Sequence, residues 1–146
     1  MKIWIFPRTF VKEILEKQEF RPNINIISIN DTLEEAEVIK TLAQNIRILS
    51  LVFFDIDETV PEHPEYILFQ EEHAKQILDF VKGHETENFV IHCAAGISRS
   101  GAVGTFLNDL HGEEYSVFKE RNPNIIPNQH IVKTMRKTYD NLAERS

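Results

Sequence analysis

Nine consecutive residues, positions 92–100, combine the side chains with the clearest chemical potential: His-Cys-Ala-Ala-Gly-Ile-Ser-Arg-Ser. Cys93 is the single cysteine among 146 residues; five residues separate it from Arg99, and Ser100 follows directly. Thiolate is the nucleophilic form of cysteine. A guanidinium can donate two parallel N–H bonds to two phosphoryl oxygens, whereas an ammonium acts as a point charge. The pattern therefore suits nucleophilic chemistry on a phosphate ester.

The surrounding sequence predicts how these residues are positioned. An apolar run at 89–91 has the composition of a buried strand, and small and apolar residues after Arg99 predict a helix. A turn from strand to helix directs backbone N–H groups and the positive end of the helix dipole at one point, where they can hold a phosphate dianion. The residues expected to bind phosphate in this way are Ala94, Ala95, Gly96, Ile97, Ser98 and Arg99.

This stretch resembles the signature of the cysteine-dependent tyrosine and dual-specificity phosphatases: His-Cys, five residues, Arg, then Ser or Thr, usually with glycine at the position of Gly96. The resemblance implies a phosphomonoester hydrolase that forms a phosphocysteine on Cys93 and needs no metal or other cofactor. Arg99 would bind the phosphoryl group, and the Ser100 hydroxyl would help the sulfur leave in the second step. His92 would orient the loop and help to tune the thiol.

The leaving alcohol needs a proton, which a carboxylic acid can supply. The family carries an aspartate for this purpose on a loop upstream of the cysteine. Asp55 and Asp57 both follow a predicted strand at 46–54 and share one side of an extended chain. We favour Asp55, because it directly follows Phe54 and matches the Asp-Ile-x-Glu loop of bacterial-type members. Asp57 is the alternative.

Three other interpretations compete with a phosphatase. Cys93 could be a buried structural thiol, which is the commoner fate of a single cysteine. The chain could be a catalytically silent module that binds phosphorylated partners, or a sulfurtransferase of the rhodanese type. The silent module would be expected to lack the nucleophile, Arg99 or the acid, and the sulfurtransferase does not need the Arg99-Ser100 ending. All of these residues are present, which favours the phosphatase.

Length, net charge and cysteine content limit the number of domains and the kinds of partner that we expect. The length predicts one domain over residues 1–146 with a sizeable core. A net charge of −7 argues against broad binding to nucleic acid or to an anionic membrane. One cysteine cannot form an internal disulfide, and no leader or spanning segment is visible in the sequence. We therefore expect a cytoplasmic protein, most simply a monomer, whose partner is a phosphorylated protein substrate.

Hydrophobic patterning predicts an α/β fold: a central, mostly parallel sheet of about four to five strands with helices on both faces. Thr9 is expected to cap the first helix, Thr32 and Glu35 form a capping signal for the second, and Pro22 precedes the second strand. The predicted strands cover 2–6, 24–29, 46–54 and 89–91. The predicted helices cover 9–19, 33–45, 66–82, 100–110, 114–120 and 129–143.

The family resemblance extends beyond the loop, from about 46 to 128. Arg-Asn-Pro at 121–123 and Ile-Pro-Asn at 126–128 resemble the family's pattern after the active-site helix. The size matches its compact dual-specificity and bacterial-type members. Members that act on inositol lipids usually carry basic residues inside the loop, whereas 94, 95, 97 and 98 are uncharged here. This favours phosphotyrosine or phosphoserine/threonine in protein, with a phosphoinositide, an RNA 5′ end or a small metabolite as alternatives.

Overall fold

A computed structural model describes residues 1–21 and 23–145. Pro22, which was predicted to precede the second strand, and Ser146, the last residue of the predicted domain, lie outside the described residues. None of the helices in the described part has the length and apolarity to cross a membrane. The strands are β1 (Lys2–Pro7), β2 (Ile24–Asn30), β3 (Arg47–Val52) and β4 (Asn88–Cys93). The helices are α1 (Arg8–Glu16), α2 (Leu33–Leu42), α3 (Glu71–Val81), α4 (Arg99–His111), α5 (Tyr115–Arg121) and α6 (Gln129–Arg145).

The four strands form one parallel sheet in the order β1-β4-β2-β3. Parallel pairing requires crossover connections, which the intervening helices supply. β2 and β4 lie inside the sheet and are covered on both faces, in agreement with their nearly continuous burial. The predicted fold class is therefore confirmed, with four strands and with all pairs parallel.

Each face of the sheet carries its own hydrophobic core. Val90 of β4 packs on one face with Val11 of α1 and Ile39 of α2. Its neighbours Phe89 and Ile91 point to the other face, because side chains alternate along a strand. The larger core on that face is formed with α3 to α6 and includes Phe53, Phe69, Phe106, Phe118, Ile131 and Met135.

The predicted start of α2 is confirmed, whereas that of α1 is wrong. The Thr32 hydroxyl accepts from the Glu35 amide, and the Glu35 carboxylate accepts from the Thr32 amide, which is a complete capping box. In α1 the helix begins at Arg8, directly after β1, with Pro7 at the N-cap position. Proline already has a φ close to −65°, so the strand turns into the helix without a capping residue and Thr9 lies within the first turn.

Two boundaries near β3 also differ from the prediction. β3 ends at Val52, and α3 begins at Glu71, so residues 53–70 form a long connection. The Phe54 amide donates to the Ile67 carbonyl at 2.7 Å, and the rings of Phe54 and Tyr66 stack at 4.9 Å. These tertiary contacts hold positions 66–70 outside the helix, although their apolar spacing is compatible with one.

Asn122 closes the outer edge of the sheet. Its Oδ1 accepts from the Ile5 amide at 2.8 Å, and its Nδ2 donates to the Ile3 carbonyl at 3.0 Å and to the Phe118 carbonyl at 3.1 Å. The side-chain amide thus takes the place of a neighbouring strand's peptide group on β1. This satisfies backbone groups that an edge strand otherwise leaves open for pairing with another chain.

We predict that Asn122→Ala lowers the free energy of unfolding by about 1–3 kcal/mol, because it leaves buried backbone groups of β1 without partners. Urea denaturation monitored by the fluorescence of Trp4 measures the change. Asn124→Ala, at an exposed position of the same connector, is the matched control and should shift stability by less than about 0.5 kcal/mol. Equal effects of the two substitutions would contradict the edge-closing role of Asn122.

Candidate active site

The candidate site lies where the strands end. Cys93 is the last residue of β4, Asp31 follows the end of β2, and Asp55 follows the end of β3. In a parallel sheet these carboxyl ends share one edge, which is where α/β proteins place their functional groups. The loop at 94–98 then leads into α4, whose first residue is Arg99. The predicted setting of strand, loop and helix is therefore present.

Gly96 allows the loop to curl around the sulfur. Its φ is +71°, a left-handed conformation that side chains rarely adopt. A Cβ atom placed on it would lie 2.6 Å from the carbonyl carbon of Phe6 and from the nitrogen of Pro7, both of them backbone atoms. Glycine is thus required twice, for its φ and for the close approach of the end of β1.

The Cys93 thiol is buried, and its environment favours the thiolate. Burial by itself would raise the pKa of the thiol. Hydrogen bonds from the Ser100 hydroxyl and amide and from the amides of Ile97 and Gly96 outweigh it, so the pKa of Cys93 lies below its usual value. The sulfur and the Ser100 oxygen are 3.1 Å apart. Ser100 is therefore in contact with the atom that it is predicted to assist.

Arg99 is held by one of its terminal nitrogens. Nη1 donates to Asp31 Oδ1 at 2.6 Å and to the Phe53 carbonyl at 2.8 Å. An Nη atom of arginine carries two hydrogens, so these two bonds use both of them. The N–H groups of Nε and Nη2 are left to donate a two-pronged bond to a phosphoryl oxygen pair. Sequence analysis missed Asp31, because nothing in the chain marks it as a partner of a residue 68 positions away.

His92 is buried beneath the loop and is neutral. Its Nδ1 lies 3.4 Å from the Cys93 carbonyl, and its Nε2 lies 2.6 Å from Ser28 Oγ. A carbonyl only accepts, so Nδ1 carries the hydrogen, Nε2 accepts from the Ser28 hydroxyl, and Ser28 Oγ in turn accepts from Asn30 Nδ2 at 3.0 Å. Burial, with the charges of Arg8 and Arg99, lowers the pKa of His92 to about 4. This chain of donors orients the imidazole, and the role of His92 in orienting the loop stays a prediction.

Asp55 is joined to the loop. Its Oδ1 accepts from the Ser98 hydroxyl at 2.8 Å and from Asn128 Nδ2 at 2.9 Å, so Oδ2 is the oxygen left to carry a proton. Asn128 also accepts the Ile131 amide at the start of α6 and donates its own amide to the Ser98 carbonyl. It therefore connects three segments: the connection at 53–70, which we call the acid loop; the loop at 94–98, which we call the phosphate loop; and α6. Its place in the Pro-Asn pattern was the signal in the sequence, but the contact with Asp55 was not visible there.

The structure does not bring every candidate residue to the same place. Asp57 is exposed and has no hydrogen bond to the loop among the described residues. The choice of Asp55 as proton donor stays a prediction, supported by this geometry. Ala94 and Ala95 are exposed at the mouth of the loop, whereas Gly96 is buried.

The described residues, 1–21 and 23–145, contain no group of three His, Cys, Asp or Glu side chains close enough to hold a metal ion. The His73 ring instead stacks on Phe69 and lies tilted against Phe53, and burial lowers the pKa of His73. Its Nδ1 accepts from the Gln70 amide at the start of α3. Its contacts are those of a structural residue.

Comparison with known proteins identifies the fold. At the level of sequence, no family model and no curated protein matches the chain. Among solved structures, the human tyrosine phosphatase-like serine/threonine/tyrosine-interacting protein matches with a TM-score of 0.65 at 22% identity, over 97% of this chain and 92% of that one. DUSP15 matches with a TM-score of 0.60 at 22% identity, over 99% and 92%. PTPMT1 in complex with PI(5)P matches with 0.58 at 12% identity, over 99% and 94%.

Each match covers nearly the whole of both chains, so the similarity concerns the complete domain. The fold is that of the cysteine-dependent tyrosine and dual-specificity phosphatases. More particularly, this chain has the compact dual-specificity form of that fold, so the fold that the resemblance implied is confirmed.

The role of Asp31 gives a first prediction from this site. Asp31→Ala should lower kcat/KM for p-nitrophenyl phosphate by about tenfold, because Arg99 loses a charge-assisted hydrogen bond that orients it. Asp31→Asn keeps an acceptor oxygen and should recover most of that loss. Steady-state kinetics of both variants measures this. Tighter binding of inorganic phosphate to Asp31→Ala than to the unsubstituted protein would instead make Asp31 a competitor for Arg99.

The neutral His92 gives a second prediction, for stability against pH. Its pKa is about 4 in the folded protein and 6.5 for the free side chain, so the unfolded chain binds the extra proton between these values. The part of the free energy of unfolding that depends on neutral His92 is fully present above pH 6.5. It should be lost on acidification, by about 3 kcal/mol at pH 4. Urea denaturation from pH 7 to pH 4 measures the slope.

His92→Gln should reduce this slope, because the substituted side chain does not titrate. Asn124→Gln, a substitution at an exposed position that does not titrate, is the control and should leave the slope unchanged. A slope that His92→Gln does not alter would show that other groups cause the acid sensitivity.

Proposed function

We propose that this protein is a phosphomonoester hydrolase, a protein tyrosine or dual-specificity phosphatase that acts through a phosphocysteine. One observation carries the proposal: a thiol with a lowered pKa lies at the centre of a loop whose amides, with the guanidinium of Arg99, can bind a phosphate dianion. The fold is shared with phosphatases, but the similar structures lie below 25% identity and support the fold alone.

The first chemical step would be attack of the Cys93 thiolate on phosphorus. The S–P bond forms as the P–O bond to the leaving group breaks, and the leaving oxygen takes a proton from Asp55. The loop amides and Arg99 hold the equatorial oxygens while their charge redistributes. The positive end of the dipole of α4 points at the same place and stabilises the same charge.

The second step would release phosphate. Water attacks the phosphocysteine, its proton passes to the carboxylate of Asp55, and the S–P bond breaks with the electron pair going to sulfur. Ser100, 3.1 Å from that sulfur, stabilises the thiolate as it leaves. The enzyme returns to its starting protonation state.

The interior of the loop supports a protein phosphoester as the substrate. Its variable side chains are alanine, isoleucine and serine, and the Ser98 hydroxyl is used on Asp55. A highly charged inositol phosphate headgroup or RNA end would need further cations. Arg8, whose backbone amide donates to the Ala94 carbonyl of the loop, donates its guanidinium to the Glu35 carbonyl. PTPMT1 in complex with PI(5)P has the same fold, so the fold alone does not choose between these substrates.

Kinetics with two leaving groups tests the mechanism. Cys93→Ser should lower turnover of p-nitrophenyl phosphate by at least about a thousandfold while phosphate binding is kept. Asp55→Asn should lower turnover of phenyl phosphate by about a hundredfold and change turnover of dinitrophenyl phosphate little, because dinitrophenolate leaves without a proton.

Asp57→Asn is the matched control for Asp55→Asn and should not alter the ratio between the two substrates. If Asp57→Asn alters that ratio and Asp55→Asn does not, the acid is Asp57. If the unsubstituted protein binds phosphate but releases none from p-nitrophenyl phosphate, the protein is a phosphate-binding module and not an enzyme.

A further inference from the structure

Two exposed isoleucines, Ile97 and Ile126, are joined through their backbones beside the phosphate loop. Ile97 belongs to the loop itself and is 36% exposed; Ile126 belongs to the connector between α5 and α6 and is 72% exposed. The Ile126 amide donates to the Ile97 carbonyl at 3.0 Å, so the two residues are in contact through their backbones. We call this pair the apolar ledge.

The apolar ledge is held in place by its surroundings. Ile125, directly before it, is buried and packs on Gly101 in the first turn of α4. Asn128, two residues after it, bonds to Ser98 and Asp55. Ile126 is thus exposed on a segment fixed at both sides. A single exposed apolar residue needs no explanation, but an apolar pair at the entrance of a binding loop indicates a contact surface.

The charges beside the apolar ledge distinguish two kinds of partner. An exposed apolar surface can contact a protein or a membrane. The acid loop, which Asn128 ties to the same side of the site, carries exposed Asp57, Glu58 and Glu62, and the chain has a net charge of −7. Anionic headgroups would be repelled from such a surface. Apart from the phosphate, which the loop would bind, a peptide needs no further negative charge, whereas an anionic membrane presents many, so the charges favour a protein partner.

Building on the proposed function, we propose that the apolar ledge binds an apolar residue adjacent to the phosphorylated residue of a protein substrate. The phosphate would enter the loop, and the neighbouring side chain would pack on Ile126 and Ile97. Burying roughly 60 Å² of apolar surface in this contact corresponds to about a tenfold preference in kcat/KM. Ile126 is then a specificity residue that does not touch the reacting atoms.

Two pairs of otherwise identical phosphopeptides test the proposal, one pair with phosphotyrosine and one with phosphothreonine. Within each pair the phosphorylated residue is flanked on both sides by isoleucine or by serine, and p-nitrophenyl phosphate serves as the reference substrate. The unsubstituted protein should prefer an isoleucine-flanked peptide by about tenfold. Ile126→Ser should reduce this preference to less than about threefold and change turnover of the reference little.

Leu142→Ser is the control, because Leu142 is also an exposed apolar residue, 37% accessible, and lies near the end of α6. It should keep the full preference. Equal turnover of the flanked peptides by the unsubstituted protein would overturn the proposal, as would a preference that survives in Ile126→Ser.

A membrane is the alternative outcome. If Ile126→Ser slows hydrolysis of a phosphoinositide in phosphatidylcholine vesicles and leaves the peptide preference intact, the apolar ledge contacts lipid and the proposal is wrong. If the unsubstituted protein fails to hydrolyse p-nitrophenyl phosphate, the proposed function fails instead. Binding of the same peptides, measured by fluorescence polarisation, then decides on the apolar ledge alone: a preference lost in Ile126→Ser supports it, and equal or absent binding overturns it.

Discussion

Negative charge on a buried sulfur is the constraint on which the rest of the site depends. Burial favours the neutral thiol, and the pKa of Cys93 lies below its usual value because several hydrogen-bond donors point at the sulfur. The Ser100 hydroxyl supplies one, and loop amides supply the others. Those amides turn inward only because Gly96 has a positive φ and lies directly against the end of β1. The environment of the sulfur thus rests on backbone geometry.

The parallel sheet places two carboxylates near the loop at 94–98 and also positions their hydrogen-bond partners. Its carboxyl edge brings two carboxylates, Asp31 and Asp55, close to a site built for an anion. Each has partners that compensate its charge: Asp31 pairs with Arg99, and Asp55 accepts from Ser98 and Asn128. The carboxylates consequently hold Arg99 and the loop at 94–98 in position. Their positions depend on strand order, since β2 and β3 neighbour each other on one side of β4.

Prediction from sequence succeeded where structure is set by nearby residues. The capping box of Thr32 and Glu35 spans a single turn and was correctly located. It failed where a distant contact overrides local preference. Thr9 has a hydroxyl that could cap α1, but α1 begins directly after β1, with Pro7 at the N-cap position. The apolar spacing from position 66 fits a helix, but the bond from the Phe54 amide to the Ile67 carbonyl keeps that segment extended.

The sequence by itself determined the loop between β4 and α4, because Cys93, Gly96 and Arg99 lie within one short turn whose length is a local property. It also determined the class of fold, since alternating strand and helix patterns leave few ways to cover a parallel sheet. Only the tertiary structure decided the partners of those residues. Asp31 reaches Arg99, and Ser28 reaches His92, across separations of 68 and 64 residues. Such pairings follow from strand order and register, which single-sequence patterns do not encode.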